Sequence, residues 1–209
     1  MLENLCALNG ITLPDEGFEK LEIYKSLLKK WGERINITSI LSDEEIEKKH
    51  FLDSLTGIKA FEKAGINLKD KHVADVGSGG GFPGMVLAIA LPETMFTLVE
   101  PRHKRCVFLE QVKRELKINN VSIECTRIEE LTNKNFDILT MRAVEDPRSA
   151  VKITKPFLEN RAVLCIYRGK EPFTGEIPGF IIERIDLDLK GVNFKRHFLF
   201  IREEEPVGT

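Results

Sequence analysis

The stretch VADVGSGGGFPG, residues 73–84, decides the fold of this chain. Its first part is apolar enough for a short buried strand, and its second part places glycines at alternate positions of a turn. Glycine permits positive φ angles and lets the backbone approach a ligand that any Cβ would keep away. Pro83 suits the first turn of a following helix, where its missing N–H would have no partner. A strand, a glycine turn and a helix in this order predict a nucleotide-cofactor site.

The glycines of this turn fit two motifs. Gly79, Gly81 and Gly84 match the dinucleotide fingerprint, in which a pyrophosphate lies at the helix N-terminus. In the other register Asp75 lies in the strand and glycines follow at 77, 79 and 81, which resembles the first motif of Rossmann-like methyltransferases that bind S-adenosylmethionine. That cofactor carries an α-ammonium group and no phosphate, so a carboxylate near the strand end is useful to it. A glycine turn of an α/β protein without an adenosine ligand is the third interpretation.

Two further features bear on this choice. Glu100 closes a second predicted strand, residues 96–100, at the position where an acidic residue binds the ribose hydroxyls of an adenosine. Residues 180–189 and 194–202 predict two long strands joined by a turn at 190–193. An antiparallel hairpin that closes a parallel sheet is typical of the methyltransferases, whereas a dinucleotide dehydrogenase continues with parallel strands. The sequence therefore favours methyl transfer.

The predicted fold is α/β, a Rossmann-like class I methyltransferase with a mostly parallel seven-stranded sheet, an antiparallel C-terminal hairpin and an N-terminal helical extension. Apolar residues spaced by three and four predict helices between about residues 15 and 64, with a break at 32–42 and a capping box starting at Ser42. We expect a helical extension over residues 1–69 packed on a catalytic domain over residues 70–209. The other strands are predicted at residues 72–76, 121–125, 136–141 and 162–167, and helices are predicted to begin near Pro83, Arg102, Ile128 and Pro147.

Composition limits the function classes. The 209 residues include 31 Lys and Arg against 33 Asp and Glu, a net charge of −2, so any nucleic-acid contact must use a local patch. The four cysteines form no C-x-x-C pair and the four histidines show no ligand spacing, which predicts no metal site. Cysteines at apolar positions predict reduced thiols and a reducing compartment. With no signal pattern and no apolar run long enough to span a bilayer, we expect a cytoplasmic monomer without membrane contact.

Several separate sequence blocks occur in one order along the chain. They are Trp31 with Asn36-Ile37-Thr38, HFLDSL at 50–55, DVGSGGGFPG at 75–84, Lys104-Arg105 with Phe108-Leu109, Arg127-Ile128-Glu129-Glu130 and Arg142-Ala143. With these blocks the chain resembles the bacterial small-subunit ribosomal RNA guanine-N7 methyltransferases, the glucose-inhibited division protein B family. The resemblance implies S-adenosylmethionine as cofactor and 16S ribosomal RNA, or the small ribosomal subunit, as partner. It also implies guanine N7 as the methyl acceptor.

The resemblance also implies roles for individual residues. Cofactor contacts are expected at Gly77 and Phe82, at Ile128 and Glu129, and at Arg142, while Glu100 holds the ribose. Many relatives carry Asp where this chain has Glu100, which is one methylene longer with the same charge. From the glycine motif itself, the cofactor-binding set also includes Asp75, Gly79 and Gly81.

Arg142 and Arg168 are the candidate catalytic residues near the acceptor base, because both follow strand ends on the cofactor side of the sheet. Guanine N7 has its own lone pair and can attack without a general base, which accounts for the lack of a His/Asp or Cys/His constellation. For Arg142 the alternative is a structural ion pair with Asp75, Glu129 or Glu145. For Arg168 a site role and ordinary pairing are equally favoured.

Other charged residues have structural interpretations beside functional ones. His50 and Asp53 lie three apart and are expected to form a structural pair; alternatively, they orient the helical extension against the cofactor loop. The basic residues after Glu100 predict a solvated helix surface, with phosphate binding as the alternative. For the whole chain three alternatives stay open: a methyltransferase of the same fold acting on a small molecule or protein, a nicotinamide-dependent oxidoreductase, and a binding module without turnover.

Overall fold

The computed structural model describes residues 1–32, 35, 37–38, 40, 42–131, 133–169 and 173–204, so Asn36 of the first sequence block lies outside the described residues. The strands are β1 (His72–Val76), β2 (Met95–Val99), β3 (Val121–Glu124), β4 (Ile138–Arg142), β5 (Val163–Arg168), β6 (Phe180–Leu187) and β7 (Arg196–Glu203). They form one seven-stranded sheet in the order β3-β2-β1-β4-β5-β7-β6. Strands β1 to β5 are parallel, and β7 is antiparallel to both β5 and β6. The predicted Rossmann-like sheet with its C-terminal hairpin is confirmed.

Helices cover the sheet and precede it. They are α1 (Leu2–Leu8), α2 (Gly17–Gly32), α3 (Asp43–Ile46), α4 (Asp53–Lys63), α5 (Gly84–Ala90), α6 (His103–Leu116) and α7 (Pro147–Leu158), with a π-helical turn at Glu47–Leu52. The predicted helix start at Ser42 is confirmed, because Ser42 Oγ accepts from the amide of Glu45 at 3.4 Å. The Glu45 carboxylate accepts from the Ser42 hydroxyl at 3.0 Å, in place of the backbone amide of a complete capping box. Within the described residues, no helix has the length and apolar character needed to cross a bilayer.

The prediction of a helix that begins near Ile128 was wrong. A single 3₁₀ turn, Ile128–Glu130, occupies this place, and the described residues between it and β4 form no helix. Asn133 and Asn135 follow the turn, and asparagine has low helix propensity because its side chain competes for backbone hydrogen bonds. The buried side chain of Ile128 therefore anchors a short connection across the edge of the sheet.

The core consists of two apolar clusters. One cluster joins the helical extension to α5, α6 and the sheet, and its fully buried members include Tyr24, Phe51, Phe61 and Phe108. The other lies around α7 and includes Ile128, Phe157 and Leu164. The segment before residue 70 thus shares its core with the glycine turn and the strands, and burial of these aromatic side chains is a large part of its stabilisation.

The cysteines differ in part from the expectation of reduced thiols. Cys106 in α6 and Cys125 after β3 form a disulfide with their Cα atoms 5.8 Å apart. This pair was not predictable from local pattern because the remainder of α6 and the strand β3 separate the two residues by 19 positions, and only the packing of α6 beside β3 brings them together. Cys6 and Cys165 are buried free thiols, and burial raises the pKa of Cys6 to about 12.

Helix α7 begins at a side-chain cap. The carboxylate of Asp146 accepts from the amide of Arg148 at 3.1 Å and from Ser149 Oγ at 3.3 Å. Replacing Asp146 with Ala should lower the free energy of unfolding by about 1 kcal/mol, because the amide of Arg148 in the first turn loses its side-chain acceptor. Urea unfolding at pH 7 measures this loss. Asp188→Ala is the control, since exposed Asp188 pairs with a single described residue, Lys195, at 3.7 Å, and equal losses in both variants would contradict the capping role.

Candidate functional site

The glycine turn links β1 to α5 at the carboxyl end of the sheet. The amides of Gly77 and Ser78 both donate to Val99 O of β2, at 2.8 and 3.1 Å. Gly77 has a φ of +73°, and a Cβ there would meet no atom within 4 Å, so its open side is accessible to a ligand. Gly81 has a φ of +92°, and a Cβ there would lie 2.9 Å from Met85 Cβ. Both positions favour glycine because of their positive φ angles, and at Gly81 close packing also leaves no room for a Cβ.

Asp75 lies buried beneath this turn. One of its carboxylate oxygens accepts from the amide of Gly84 at 2.9 Å, and the other accepts from Thr140 Oγ1 at 3.1 Å. Burial raises the pKa of Asp75 to about 6, although these hydrogen bonds and the charge of Arg142 act in the opposite direction. Through these contacts Asp75 fixes the start of α5 to the sheet. Its contact with a cofactor stays a prediction.

Glu100 lies directly after β2 and is buried. Its Oε2 accepts from the amide of Gly79 at 2.9 Å, and its Oε1 accepts from the amide of Arg102 at 2.9 Å. The guanidinium of Arg105 lies 3.6 Å from the same carboxylate. Glu100 thus joins the glycine turn to the beginning of α6, at the edge where the predicted ribose would lie.

The residues predicted after β3 lie at the same edge of the sheet. Because β3, β2 and β1 are parallel neighbours, their carboxyl ends share one edge with the glycine turn and Glu100. Ile128 is buried in the cluster that contains Val76 and Val99, while Glu129 is exposed. The structure therefore brings the predicted cofactor-binding residues to one edge, and their roles in binding stay predictions.

The ring of Phe82 lies at the contact between the turn and the helical extension. It stacks on His50 at a centroid distance of 4.4 Å with 10° between the planes, and on Tyr24 at 5.7 Å. The guanidinium carbon of Arg142 lies 5.0 Å from the centre of the ring. Tyr24 Oη also donates to the carbonyl of Gly80. The extension consequently supports the cofactor turn directly.

Arg142 is paired with the helical extension. Its Nη1 donates to Asp53 Oδ2 at 3.1 Å and to the carbonyl of Lys49 at 3.3 Å. The ion pair is thus made with Asp53, and the predicted partners Asp75, Glu129 and Glu145 were wrong. Asp53 belongs to the HFLDSL block, but its distance of 89 positions from Arg142 hid the contact.

His50 and Asp53 were expected to pair with each other, which was wrong. His50 Nε2 lies 2.9 Å from Thr38 Oγ1, and its Nδ1 lies 3.4 Å from Arg142 Nη2. Burial and the nearby Arg142 charge lower the pKa of His50 to about 4, so the imidazole is neutral at pH 7. The alternative interpretation, that these residues orient the extension against the cofactor loop, agrees with the stacking of His50 on Phe82.

A cleft of about 720 Å³ opens beside Arg142 at the carboxyl ends of β4 and β5. Arg168 lines it and donates from Nη1 to the carbonyls of Val144 and Glu145, both at 3.1 Å. Sequence reasoning missed two further cations of this cleft, Lys49 and Arg196. Among the described residues, the charged side chains that line the cleft are Lys49, Asp53, Arg142, Glu145, Arg168 and Arg196. Its four cations and two carboxylates favour an anionic or electron-rich ligand.

Away from the cleft, Arg105 of the predicted basic helix pairs with Glu100, and Arg114 donates to Gln111. Arg102, His103 and Lys104 are exposed at the beginning of α6. Phosphate binding by these side chains stays a prediction. In the part of the chain that the structure describes, no group of three His, Cys, Asp or Glu residues is arranged to hold a metal ion.

Comparison with known proteins gives consistent matches. Residues 17–177 match the family described as rRNA small subunit methyltransferase G. The chain is 38% identical over 174 residues to the Ribosomal RNA small subunit methyltransferase G of Aquifex aeolicus, covering 82% of this chain and 85% of the relative. It is 33% identical over 202 residues to the protein of the same name from Janthinobacterium sp., covering 92% and 89%.

Solved structures with low sequence identity share the fold. The magnesium protoporphyrin IX methyltransferase of Synechocystis, solved with bound S-adenosylmethionine, is 15% identical with a TM-score of 0.57, covering 86% of this chain and 97% of that one. A mutant of MtNAS in complex with S-adenosylmethionine is 15% identical with a TM-score of 0.60, covering 95% and 77%. At this identity the likeness supports the Rossmann-like fold alone.

The raised pKa of Asp75 makes stability depend on pH. Its value of about 6 in the folded protein exceeds the ordinary 3.8, so the folded protein holds this proton more tightly than the unfolded chain. Stability therefore falls as pH rises from about 4 to about 6 and is level above that range. Asp75→Asn keeps an oxygen for Gly84 and an amide for Thr140 but cannot ionise. The variant should gain about 3 kcal/mol relative to the unmutated protein between pH 4 and pH 7.

Urea unfolding across this pH range measures the difference. Asp137→Asn is the matched control, because bonds from the amide of His72 and from Lys71 outweigh burial and lower the pKa of Asp137. Its difference from the unmutated protein should be smaller and opposite in sign, since most of this titration lies below pH 4. A difference for Asp75→Asn that does not vary with pH would contradict the prediction.

Proposed function

Because the chain belongs to the rRNA small subunit methyltransferase G family, we propose that it transfers the methyl group of S-adenosylmethionine to ribosomal RNA of the small subunit. The acceptor is N7 of a guanine, in keeping with the sequence blocks described above. The observation that carries the proposal is the glycine turn, with Glu100 beside it, lying next to a cleft that is lined by four cations. Cofactor edge and cleft meet at Phe82, whose ring contacts both His50 and Arg142.

The residues at the cofactor edge fit S-adenosylmethionine. The carboxylate of Glu100 offers about four lone-pair positions, and the amides of Gly79 and Arg102 occupy two of them. Acceptor positions are left for ribose hydroxyls, and the open side of Gly77 leaves room for the ligand beside the backbone. Ile128 supplies an apolar contact for the adenine, with Glu129 beside it.

The reaction requires little acid–base chemistry from the protein. Bound S-adenosylmethionine supplies an electrophilic methyl group on a sulfonium. Guanine N7 carries an unprotonated lone pair, so no side chain has to remove a proton. His50, neutral and stacked on Phe82, suits a packing role. The side chains of the site act by holding the base in line with the methyl group and by excluding water.

Arg142 and Arg168 are the residues we assign to the acceptor. In A-form RNA the N7 edge lies in a narrow groove that side chains cannot read, so the target base must lie in a loop or leave its stack. Guanine O6 and the RNA phosphates accept hydrogen bonds from guanidinium groups, whereas N7 must keep its lone pair for the methyl group. We therefore place the base in the cleft with O6 toward the arginines.

Several further assignments belong to this proposal. The partner is 16S ribosomal RNA, free or in the small subunit, and the protein acts as a cytoplasmic monomer. The helical extension, residues 1–69, packs on a catalytic domain of residues 70–209. The contacts of Tyr24 and His50 with the glycine turn support the packing of the extension on the catalytic domain.

Transfer of labelled methyl groups tests the proposal. The protein is incubated with labelled S-adenosylmethionine and small-subunit RNA, or particles, that lack the endogenous modification, and the labelled base is mapped. We expect label on a single guanine, released as 7-methylguanosine. Cofactor binding without transfer to any RNA would instead favour a small-molecule or protein acceptor. Binding of a nicotinamide cofactor in place of S-adenosylmethionine would favour the oxidoreductase.

Glu100 gives a separate test of cofactor binding. Glu100→Gln should weaken S-adenosylmethionine binding about tenfold or more in calorimetry, because the ribose hydroxyls lose a charged acceptor. RNA affinity should not change. Glu124→Gln, at the end of the neighbouring strand β3 and paired with Lys134, is the control and should bind the cofactor normally. Unchanged cofactor affinity in Glu100→Gln, or equal weakening in both variants, would contradict a specific contact of Glu100 with the ribose.

A further inference from the structure

We propose that Asp53 is the positioning residue that holds Arg142 and Arg196 in the orientation in which they grip the acceptor base. The inference rests on the proposed function and goes beyond it, since it assigns the alignment of the cleft to a residue of the helical extension. Asp53 is 3% exposed, and its two carboxylate oxygens contact two different arginines. Oδ2 lies 3.1 Å from Arg142 Nη1, and Oδ1 accepts from Arg196 Nε.

The sheet order explains why one carboxylate reaches both arginines. Arg142 ends β4 and pairs in register with Tyr167 of β5. Arg196 begins β7, and because β7 is antiparallel to β5, its start lies at the carboxyl end of β5. The two arginines therefore flank the end of β5 from opposite sides, and Asp53, the first residue of α4, bridges them.

Both guanidinium groups keep donors for a ligand. Each carries five N–H groups, and the carboxylate uses one on each arginine. Among the described residues, Arg142 donates to the carboxylate of Asp53, to the carbonyl of Lys49 and to His50, which uses three of its five donors. Arg196 donates to the carboxylate of Asp53 and to the carbonyl of Lys195, which uses two of its five donors. The arginines are thus fixed at one side while other N–H groups stay available in the cleft.

The charges require a carboxylate at this position. Arg142 and Arg196 have side chains only 20% and 16% exposed, so their mutual repulsion is poorly screened by water. Asp53 leaves the three groups with one net positive charge and a defined geometry. Without its charge the guanidinium groups would move apart, and a displacement of about 1 Å at a reacting base can cost on the order of 100-fold in rate.

Asp53→Asn removes the charge at constant size. We expect kcat for methyl transfer to fall at least tenfold, with S-adenosylmethionine affinity within twofold of the unmutated protein. Asp53→Glu restores the charge and should recover part of kcat. In the free protein, the Nε–H signals of Arg142 and Arg196 in side-chain NMR spectra should shift or broaden in Asp53→Asn. This readout does not require methyl transfer.

Glu47→Gln is the matched control. Glu47 is also a nearly buried carboxylate of the helical extension, and it pairs with Lys25 at 2.6 Å away from the cleft residues. Both variants should lose stability, because each removes a buried carboxylate charge from its cationic partners. Glu47→Gln should nevertheless keep its kcat at a temperature where the protein is folded. The Arg196→Gln variant and the double variant Asp53→Asn/Arg196→Gln complete the set. The fold-loss of kcat in the double variant should be smaller than the product of the fold-losses in the two single variants.

A kcat for Asp53→Asn equal to that of the unmutated enzyme would overturn the inference, as would unchanged arginine NMR signals. A parallel loss of kcat in Glu47→Gln would overturn it as well, because the effect would then follow stability. If the unmutated protein transfers no methyl group to RNA, the proposed function fails, and the NMR comparison still decides whether Asp53 fixes the two arginines.

Discussion

The buried carboxylate of Asp75 is the interaction on which the rest of the site depends. It accepts from the first amide of α5 and from Thr140 of β4, so it joins a helix and two adjacent strands at one point. Its raised pKa shows that burying this charge is costly, and the fold accepts that cost where the glycine turn begins. This carboxylate holds the start of α5, and Val99 O holds the amides of Gly77 and Ser78, so both ends of the glycine turn are fixed to the sheet.

The fixed turn determines how the helical extension becomes part of the site. The turn presents Phe82 to His50 and Tyr24, and the carbonyl of Gly80 accepts from Tyr24 Oη. The same π-helical and α4 segment that supplies His50 supplies Asp53, which reaches the arginines of the cleft. One segment therefore contacts both the glycine turn and the cleft, the two places to which the proposed function assigns the cofactor and the acceptor.

The sequence permitted prediction of those parts that depend on local pattern. Alternating and helical periodicities gave the sheet, the hairpin and most helices, and the spacing of glycines gave the turn, because each of these is set by neighbours within a few residues. Contacts that depend on the packing of separate elements were not predictable. Arg142 paired with Asp53 from 89 positions away, and Cys106 met Cys125 through the packing of α6 beside β3. Arg196 was missed because a cation at the start of a C-terminal strand has no distinguishing local pattern.

The charge balance of the cleft follows from the chemistry assigned to it. Methylation of guanine N7 transfers a positive charge onto the base, so a cleft made only of cations would attract RNA and then oppose the reaction. Four cations accompanied by Asp53 and Glu145 retain attraction for phosphate while lowering the repulsion felt by a base that becomes cationic. The remaining positive charge still disfavours the methylated product relative to the neutral substrate. A carboxylate between two arginines thus serves alignment and electrostatics together, which neither an apolar residue nor a third cation at position 53 would do.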